Sequence, residues 1–444
     1  MHLLGYGGFW ATGLNSYDPN VRGALGLGES DRLLGFLYVG TPKEATRAPE
    51  RRAPEAFVRE WTSLTAPARI EVIDARDEER LIAEALAAGE ISPVVGGRYY
   101  ARSYVKDTAR TEERTFVATS NPSDRGAYNN WRLTSDVKPV VVELMRGASA
   151  KKTTYVIPYL MAPPGSPLES FAAGVELTDN RVVVLHMIRM ARVGVALVNE
   201  LADPSSFVRG VHVVGDLPNL GQGTPADKRH FVTIADERLL LHFGSSYGGN
   251  ALLGKIAHGL RQASYDGHAS GRFLAEQFML ISIRDTVAGT TRYICGGFPS
   301  ASGKTNLAMM RPPAVFGDRY EVKFFGDDIA WLYVDDEGTL RAFNAEYGVF
   351  GVARNSNPGT NPNAIASIGP GSGALFTNVA YNEITNDVWW EGLTPEPPRD
   401  LVGWRDWRGN PKYPACGEDR ACQPLAIIDR IDTDFLWQRS PFLL

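Results

Sequence analysis

The sequence predicts an α/β protein with two domains. Its 444 residues suffice for two or three domains at roughly 150 residues each. From residue 56 to about residue 290, segments with helical periodicity alternate with short apolar segments typical of strands. Near residue 293 a strand-like segment leads through a glycine-rich turn into a helix. This pattern predicts a second domain that is built on a mixed sheet and carries a phosphate loop.

Changes in composition along the chain define the elements of the first domain. Residues 43–55 hold two prolines and several charges without apolar periodicity, which is typical of a linker. A helix is expected from residue 56, a strand over 70–74 and a further helix over 77–88. We therefore divide the chain into an N-terminal segment (1–42), the linker (43–55), a first domain (56–290) and a second domain (291–444).

Composition argues against several classes of protein. A net charge of −5 disfavours a general nucleic-acid binder, so a small-molecule partner is expected. The three cysteines are too few and too scattered for a disulfide framework or a cysteine zinc site. The most apolar stretch, 182–198, is interrupted by His186, Arg189 and Arg192, which predicts a buried helix, or a helix and strand, rather than a membrane span. With no signal peptide at the start, a cytoplasmic protein is expected.

The glycine-rich turn covers residues 297–306, which read GFPSASGKTN. A turn of this kind between strand and helix directs several backbone N–H groups at one point, and this favours a phosphate group. Lys304 would reach the outer phosphates, and the Thr305 hydroxyl would contact a divalent cation bound to them. The strict P-loop pattern has its first glycine where this chain has Phe298, so the match is displaced by one residue. We interpret the turn as a phosphate-binding loop.

A second unusual stretch, residues 244–255, reads GSSYGGNALLGK. The two adjacent glycines after Tyr247 would let the backbone approach a ligand closely, with the aromatic ring lying over it. A plain turn at the start of a helix explains the same pattern equally well.

A pair of carboxylates, Asp327 and Asp328, follows an apolar segment about twenty residues after the phosphate loop. Carboxylates at the end of a strand, in the same domain as a phosphate loop, are typical of a site for Mg²⁺ or Mn²⁺ beside phosphate oxygens. The pair therefore predicts a metal site.

Four motifs together resemble the GTP-dependent phosphoenolpyruvate carboxykinase family. They are 247–250 (YGGN), 298–306 (FPSASGKTN), 326–331 (GDDIAW) and 360–364 (TNPNA), and their order and spacing match over residues 56 to about 430. The resemblance implies a two-domain carboxykinase fold and the conversion of oxaloacetate and a phosphoryl donor to phosphoenolpyruvate and CO₂, a lyase reaction of gluconeogenesis or anaplerosis. It also implies Mn²⁺ at the active site and Mg²⁺ with the nucleotide.

The resemblance assigns a role to individual residues. It implies Arg110 as the anchor of the substrate carboxylate and Asp328 as an Mn²⁺ ligand with Asp327 beside it. The candidate site comprises the substrate-binding residues Arg110, Tyr247, Gly248, Gly249 and Ser300, the phosphate-loop residues Ser300, Ala301, Ser302, Gly303, Lys304, Thr305 and Asn306, the metal ligands Asp328, Thr305 and Gln277, and the catalytic residues Arg110, Tyr247, Lys255, Ser302 and Arg420.

The sequence departs from the family pattern at the metal site. The family's lysine ligand falls at Ile256 and its histidine ligand at Gln277, so only Asp328 keeps the family's residue type. Isoleucine cannot coordinate a metal, and a neutral glutamine oxygen is a weak ligand. Lys255 is able to swing into the place of the missing lysine. His258, two residues further along a helix than Ile256, points about 200° away.

Two further positions differ from the family or match it only in part. Ser302 stands where the family has a reactive cysteine, a change that removes thiol sensitivity and leaves phosphate binding intact. Arg420 matches the family's phosphoryl-transfer arginine, but Glu418 stands where the family has asparagine.

The C-terminal end leaves two alternatives open. Family members continue well past Leu444 with a guanine pocket and a mobile lid, so the second domain is expected to be incomplete and the apolar residues of 434–444 to lack a sheet to pack on. An active chain would use GTP or, as in one branch of the family, inorganic pyrophosphate. The other alternative is a catalytically incomplete fusion or fragment that retains only a phosphate-binding site.

Residues 1–42 resemble the C-terminal tail of a flavin-dependent nitroreductase, with a glycine-rich turn followed by a closing strand. The helices and basic residues that would hold most of the flavin have no counterpart in the sequence. A fusion remnant is the alternative to a working flavin site, and a colourless purified protein would exclude the flavin.

Overall fold

The computed structural model of the protein describes residues 7–11, 20, 36–40, 54–104, 106–107, 111–126, 130–199, 207–215, 224–298, 302–411 and 434–437. Helices and mixed sheets alternate along these residues, which confirms the predicted α/β class. The helices are α1 (Pro54–Thr65), α2 (Glu78–Ala87), α3 (Thr134–Met145), α4 (Glu169–Ala172), α5 (Arg181–Met190), α6 (Val195–Asn199), α7 (Gly248–Ala251), a π-helix (Leu253–Gln262), α8 (Ala263–Ser270), α9 (Lys304–Ala308) and α10 (Pro362–Ser367).

The strands are short and most of them are apolar. In chain order they are β1 (Gly7–Ala11), β2 (Phe36–Gly40), β3 (Arg69–Val72), β4 (Ser92–Val94), β5 (Arg98–Ala101), β6 (Thr115–Thr119), β7 (Trp131–Leu133), β8 (Thr153–Leu160), β9 (Ala173–Thr178), β10 (Arg192–Val193), β11 (Val208–Val213), β12 (His230–Ile234), β13 (Leu239–Phe243), β14 (Phe273–Glu276), β15 (Phe278–Asp285), β16 (Thr290–Gly297), β17 (Tyr320–Gly326), β18 (Ala330–Val334), β19 (Leu340–Asn344), β20 (Val349–Val352), β21 (Leu375–Thr377), β22 (Ala380–Asn382), β23 (Val388–Trp389), β24 (Trp404–Arg405) and β25 (Asp434–Trp437).

A nine-stranded mixed sheet organises the first half of the chain. Its order is β10-β8-β9-β11-β13-β12-β6-β7, with β3 also paired to β8. Every residue of β9, β12 and β13 is buried. Strands are buried along their whole length when other elements cover both faces of the sheet, and here polar side chains such as Glu176 and His242 are buried with the apolar ones. The sheet therefore provides a rigid base for the loops at its edge.

The apolar stretch 182–198 forms α5, β10 and α6, which confirms a helix and strand in place of a membrane span. Asn180 begins α5, because its side chain accepts hydrogen bonds from the backbone N–H groups of Val182 and Val183. Within the part of the chain that the structure describes, no helix has the length and apolarity needed to cross a bilayer.

The second half of the chain contains smaller sheets. Their orders are β14-β18-β19, β16-β15-β17, β20-β25-β21-β5-β4 and β23-β22-β24. The hairpin β4–β5 comes from the first half of the sequence, yet β5 pairs in parallel with β21. The two halves therefore share a sheet.

Strand β25 corrects one expectation from the sequence. Residues 434–437 were expected to lack a sheet, but they pair antiparallel with both β20 and β21. The expectation was wrong for these four residues because it considered only a missing C-terminal sheet. The gap between β20 and β21 accommodates residues 434–437, and the backbone N–H and C=O groups of this segment pair with those of the two strands.

The N-terminal strands β1 and β2 form a separate antiparallel pair, with Gly7 opposite Gly40. The nitroreductase resemblance of this segment stays a prediction.

Trp331 joins the two halves of the molecule. Its side chain, on β18, is fully buried and stacks on Phe273 with a distance of 4.9 Å between ring centroids. The indole N–H donates a 2.7 Å hydrogen bond to the carbonyl oxygen of Gly259 in the π-helix. The π-helix is thereby fixed against β18, which begins two residues after the acidic pair.

We expect Trp331→Phe to lower the free energy of unfolding by about 1–3 kcal/mol, because the buried Gly259 carbonyl loses its hydrogen-bond donor. Urea unfolding followed by circular dichroism measures the change. Tyr293→Phe is the matched control, since Tyr293 is 66% exposed on the edge strand β16 and its replacement should leave the midpoint unchanged. A Trp331→Phe variant as stable as wild type would contradict this role of the indole.

Candidate active site

The phosphate loop connects β16 to α9, as its sequence predicts. Gly303, just before α9, has φ of +91°, a region that side-chain-bearing residues avoid. Ser302 lies exposed before this glycine, whereas Ser300 and Ala301 lie outside the described residues. A left-handed glycine here turns the chain sharply enough to begin α9 directly at Lys304.

The phosphate loop and the acidic pair meet. The Lys304 ammonium lies 2.5 Å from Oδ1 of Asp328, and both residues are buried. The Thr305 hydroxyl donates a 2.7 Å hydrogen bond to Oδ2 of Asp327. Each of the two loop residues that the sequence singles out therefore contacts one of the two carboxylates.

Close packing of β19 fixes the position of the acidic pair. Asp327 and Asp328 follow Gly326 at the end of β17. A Cβ atom at Gly326 would lie only 2.4 Å from Cγ of Asn344 on β19, so this position requires glycine. The Asn344 side chain in turn donates a 2.7 Å hydrogen bond to the backbone carbonyl of Glu346.

The π-helix delivers Lys255 to the same carboxylates. The Lys255 ammonium lies 2.7 Å from Oδ2 of Asp328 and also contacts Oε1 of Glu346. Ile256, where the family has its lysine ligand, is buried in the apolar core instead. The amide nitrogen of Gln277 donates a 3.0 Å hydrogen bond to Oδ1 of Asp328. Lys255, and not residue 256, is thus the position from which the π-helix brings a lysine to the site.

Burial and charge set the protonation of this cluster. Burial acts to raise the pKa of Asp328, but Lys255 and Lys304 outweigh it and hold that pKa well below its usual range. Burial acts to lower the pKa of Lys255, and Asp328 followed by Glu346 raises it instead. Burial raises the pKa of Asp327 and of Glu346, with Lys255 opposing both shifts. Asp328 is therefore a carboxylate and Lys255 an ammonium, which donates hydrogen bonds and has no lone pair for a metal.

Tyr247 and the two glycines after it form a tightly packed turn. Tyr247 is almost fully buried, with its ring edge-on to Phe350 at 6.3 Å. A Cβ atom at Gly249 would lie 2.5 Å from Cε1 of Tyr247, and one at Gly248 would lie 2.9 Å from Cε2 of Phe350. Glycine is therefore required at both positions to make room for the rings of Tyr247 and Phe350, whether or not a ligand is bound.

A buried carboxylate, Asp107, holds this turn in place. It accepts hydrogen bonds of 2.6 Å from the Ser245 hydroxyl, 2.8 Å from the Ser246 backbone N–H and 3.2 Å from the Tyr247 backbone N–H. Asp107 precedes Arg110 by three residues. Arg110 itself, like Arg420, lies outside the described residues.

His258 takes part in a separate buried network. Its Nε2 lies 2.8 Å from the carbonyl oxygen of Phe171, and its Nδ1 lies 2.9 Å from the Tyr159 hydroxyl. Because a carbonyl only accepts, Nε2 carries the proton and Nδ1 accepts from tyrosine. Both ring nitrogens are thus engaged, and His258 does not replace the family's histidine ligand.

The loop around residues 360–364 lies against the helix that follows the phosphate loop. The Asn361 side-chain amide donates to Oδ1 of Asn306, and Arg311 donates a 2.8 Å hydrogen bond to Asn363. A cavity of about 260 Å³ opens between the two segments. Its lining comprises Asn306, Met309, Met310, Arg311, Gly359, Thr360, Asn361, Pro362 and Ala364.

Sequence reasoning missed Glu346 and the function of Asp107. Glu346 lies in the loop between β19 and β20 with no motif around it, and only the folded chain brings it to Lys255. Asp107 stands beside Arg110 in the sequence, but its partners are about 140 residues away, so no local pattern reveals them.

The donor atoms at the acidic pair fit a hard divalent cation. They are the carboxylate oxygens of Asp327 and Asp328 and the Thr305 hydroxyl, and oxygen donors are those that Mg²⁺ and Mn²⁺ prefer. The Gln277 amide presents its nitrogen to Asp328 and would have to turn to offer its oxygen. Across the described ranges, no group of three or more His, Cys, Asp or Glu side chains has the arrangement of a metal site. A cation here would therefore take its remaining ligands from a bound phosphate and water.

The fold and the site define a class of protein: a two-domain P-loop protein in which a phosphate loop is paired with buried carboxylates. Two family models identify the family. The phosphoenolpyruvate carboxykinase N-terminal domain matches residues 56–268, and the phosphoenolpyruvate carboxykinase C-terminal P-loop domain matches residues 273–438. The chain belongs to the GTP-dependent phosphoenolpyruvate carboxykinase family, which confirms the resemblance found in the sequence.

Curated relatives agree with the family models. Phosphoenolpyruvate carboxykinase (GTP) of Renibacterium salmoninarum is 38% identical over 396 residues, which cover 85% of this chain and 63% of that protein. The enzyme of the same name from Chlamydia caviae is 38% identical over 369 residues, covering 81% of this chain and 59% of its own length. The enzyme of that name from Chlamydia felis is 40% identical over 321 residues, which cover 71% of this chain and 51% of that protein. The chain thus spans about three fifths of the length of the first two relatives.

The buried His258 gives stability a predictable pH dependence. Burial lowers the pKa of His258 to about 3, against about 6.5 in an unfolded chain. Between these two pKa values the imidazole binds a proton in the unfolded state but not in the folded state. The free energy of unfolding therefore falls as the pH drops below about 6.5. We expect His258→Gln to reduce this fall by about 1.4 kcal/mol per pH unit between about pH 6 and pH 5. Urea unfolding at several pH values measures the slope, and an unchanged slope would contradict the neutral state of His258.

Proposed function

We propose that the chain forms the reaction centre of a phosphoenolpyruvate carboxykinase, which converts oxaloacetate and a phosphoryl donor to phosphoenolpyruvate and CO₂. The observation that supports this most strongly is the pairing of the phosphate loop with the acidic pair. Lys304 contacts Asp328 and Thr305 contacts Asp327, while Lys255 approaches Asp328 from the other half of the chain. The groups that we propose to bind phosphate and a cation thus lie side by side.

The reaction needs a group for each charge that develops. The bond between C3 of oxaloacetate and its terminal carboxylate breaks, CO₂ leaves and the electron pair remains as an enolate. The enolate oxygen then attacks the terminal phosphorus of the donor, and the remaining phosphate portion of the donor leaves. Lys304 would neutralise charge on the transferred phosphoryl group, and Lys255 would lie beside the developing negative charge. Arg110 would hold a substrate carboxylate, as the family resemblance implies.

Asp328, Thr305 and Gln277 are the proposed holders of a divalent cation, with Asp327 supporting the Thr305 hydroxyl. When bound, the cation would supply positive charge that stabilises the enolate and phosphate oxygens. We propose Mn²⁺ at the acidic pair and Mg²⁺ with the donor. The oxygen donors suit both ions.

The donor is assigned by direct assay. The purified chain is supplied with oxaloacetate, Mn²⁺ and Mg²⁺ together with GTP, ATP or pyrophosphate in turn, and phosphoenolpyruvate is measured. We expect product with GTP, the donor that the names of the relatives contain. Product with pyrophosphate alone would assign the other donor. Binding of a donor without product in any arm would contradict the enzyme and favour the second function, a phosphate-binding chain that completes no turnover.

We expect Lys304→Met to lower kcat/KM for phosphoenolpyruvate formation by at least about a hundredfold, because the phosphoryl group loses its nearest cation. Lys323→Met is the matched control, since Lys323 is an exposed lysine of β17 in the same sheet as β16. Comparable kcat/KM values for Lys304→Met and Lys323→Met would contradict the role of the phosphate loop.

A further inference from the structure

Glu346 is a buried carboxylate with an unusual set of contacts. Its side chain is completely inaccessible to solvent, and Oε1 contacts the Lys255 ammonium. Within the described part of the chain, Oε2 accepts no hydrogen bond. Burial raises the pKa of Glu346 to about 8 and the Lys255 ammonium opposes this rise, so the charge of this carboxylate depends on the cation beside it.

The backbone around Glu346 is held firmly against the acidic pair. The Ala345 N–H donates a 3.1 Å hydrogen bond to the Ile329 carbonyl, one residue after Asp328. The Tyr347 N–H donates a 2.8 Å hydrogen bond to the carbonyl of Met190 in α5. Glu346 is therefore fixed on both sides, and its carboxylate cannot move far from Lys255.

Lys255 is shared between two carboxylates with different surroundings. Asp328 is contacted by two ammonium groups and the Gln277 amide, whereas Glu346 is contacted by Lys255. A cation entering at Asp328 would repel the Lys255 ammonium, which lies 2.7 Å from the same carboxylate. At an effective dielectric constant of about 20, charges a few ångströms apart interact by several kcal/mol, so this repulsion would matter.

We propose that Glu346 is a positioning residue that holds Lys255 beside the cation site while a divalent cation occupies Asp328. Glu346 supplies the counter-charge that Asp328 then shares with the cation. Lys255 thereby stays in place as an ammonium in the reaction centre instead of competing with the cation for Asp328.

The inference rests on the proposed cation site and is tested with Mn²⁺ alone. Binding to the full chain is measured by electron paramagnetic resonance of free Mn²⁺ or by calorimetry, without substrate. Glu346→Gln keeps the shape of the side chain and removes its charge. We expect it to weaken Mn²⁺ binding at least about tenfold, because the ammonium then faces the cation without its own counter-charge.

A double-mutant cycle shows whether Glu346 acts through Lys255. In Lys255→Met the buried Glu346 has lost its cation and becomes protonated, so replacing it by glutamine exchanges one neutral group for another. We therefore expect Lys255→Met/Glu346→Gln to bind Mn²⁺ as Lys255→Met does. The doubly neutral variant leaves no unpaired charge at these two positions, which favours folding, and circular dichroism checks each variant.

Asp266→Asn is the matched control. Asp266 is buried and forms a 3.2 Å ion pair with Arg238, so its replacement also removes a buried carboxylate, but from an ion pair that does not include Lys255 or Asp328. It should leave Mn²⁺ binding unchanged.

Each outcome separates the inference from the proposed function. Wild-type binding with equal binding by Glu346→Gln would overturn the role of Glu346 and leave the cation site intact. An equally large loss in the Lys255→Met background would mean that Glu346 acts on the cation directly, and this too would overturn the positioning role. A wild-type chain that binds no Mn²⁺ would overturn the proposed cation site and the inference with it.

Discussion

The interaction on which this molecule depends is the ion cluster that Asp328 forms with Lys255 and Lys304. One lysine comes from the π-helix and the other from the phosphate loop, so a single carboxylate joins segments that are far apart in the chain. All three residues are buried. Removing one partner from such a cluster leaves a buried charge uncompensated, at a cost of about 3–5 kcal/mol. Replacing any one of these three residues would therefore disturb both the chemistry of the site and the contact between the segments that carry them.

The cluster also prepares the site for its ligand. Charges in a dry interior interact more strongly than in water, and fixed groups need no reorganisation when negative charge develops. Lys304 and Lys255 are held by carboxylates before any phosphate arrives, while Asn344 packs on Gly326 and keeps the acidic pair at the end of β17. The packing of β19 against the end of β17 therefore fixes the carboxylates that hold the lysine of the phosphate loop in place.

The sequence revealed those parts of the site whose chemistry is local. The phosphate loop and the acidic pair each have a recognisable order of residue types, and the α/β class follows from the alternation of helical and apolar segments. The reach of Lys255 to Asp328 was foreseen only as an option, because it depends on the π-helix that carries it. Glu346 and the contacts of Asp107 could not be predicted, since both are defined by partners more than ninety residues away along the chain. The site of β25 was misjudged because strand pairing between distant segments leaves no local pattern.

The five-stranded sheet β20-β25-β21-β5-β4 has a consequence for how the chain is made. Its strands come from residues 92–101, 349–352, 375–377 and 434–437, and the strand synthesised last lies between two earlier ones. Pairing of segments so distant in sequence is slow, since a long loop must close before any contact forms. On the ribosome, β20 and β21 would have open edges until β25 emerges, so this sheet exposes a nascent chain to mispairing and to chaperone binding.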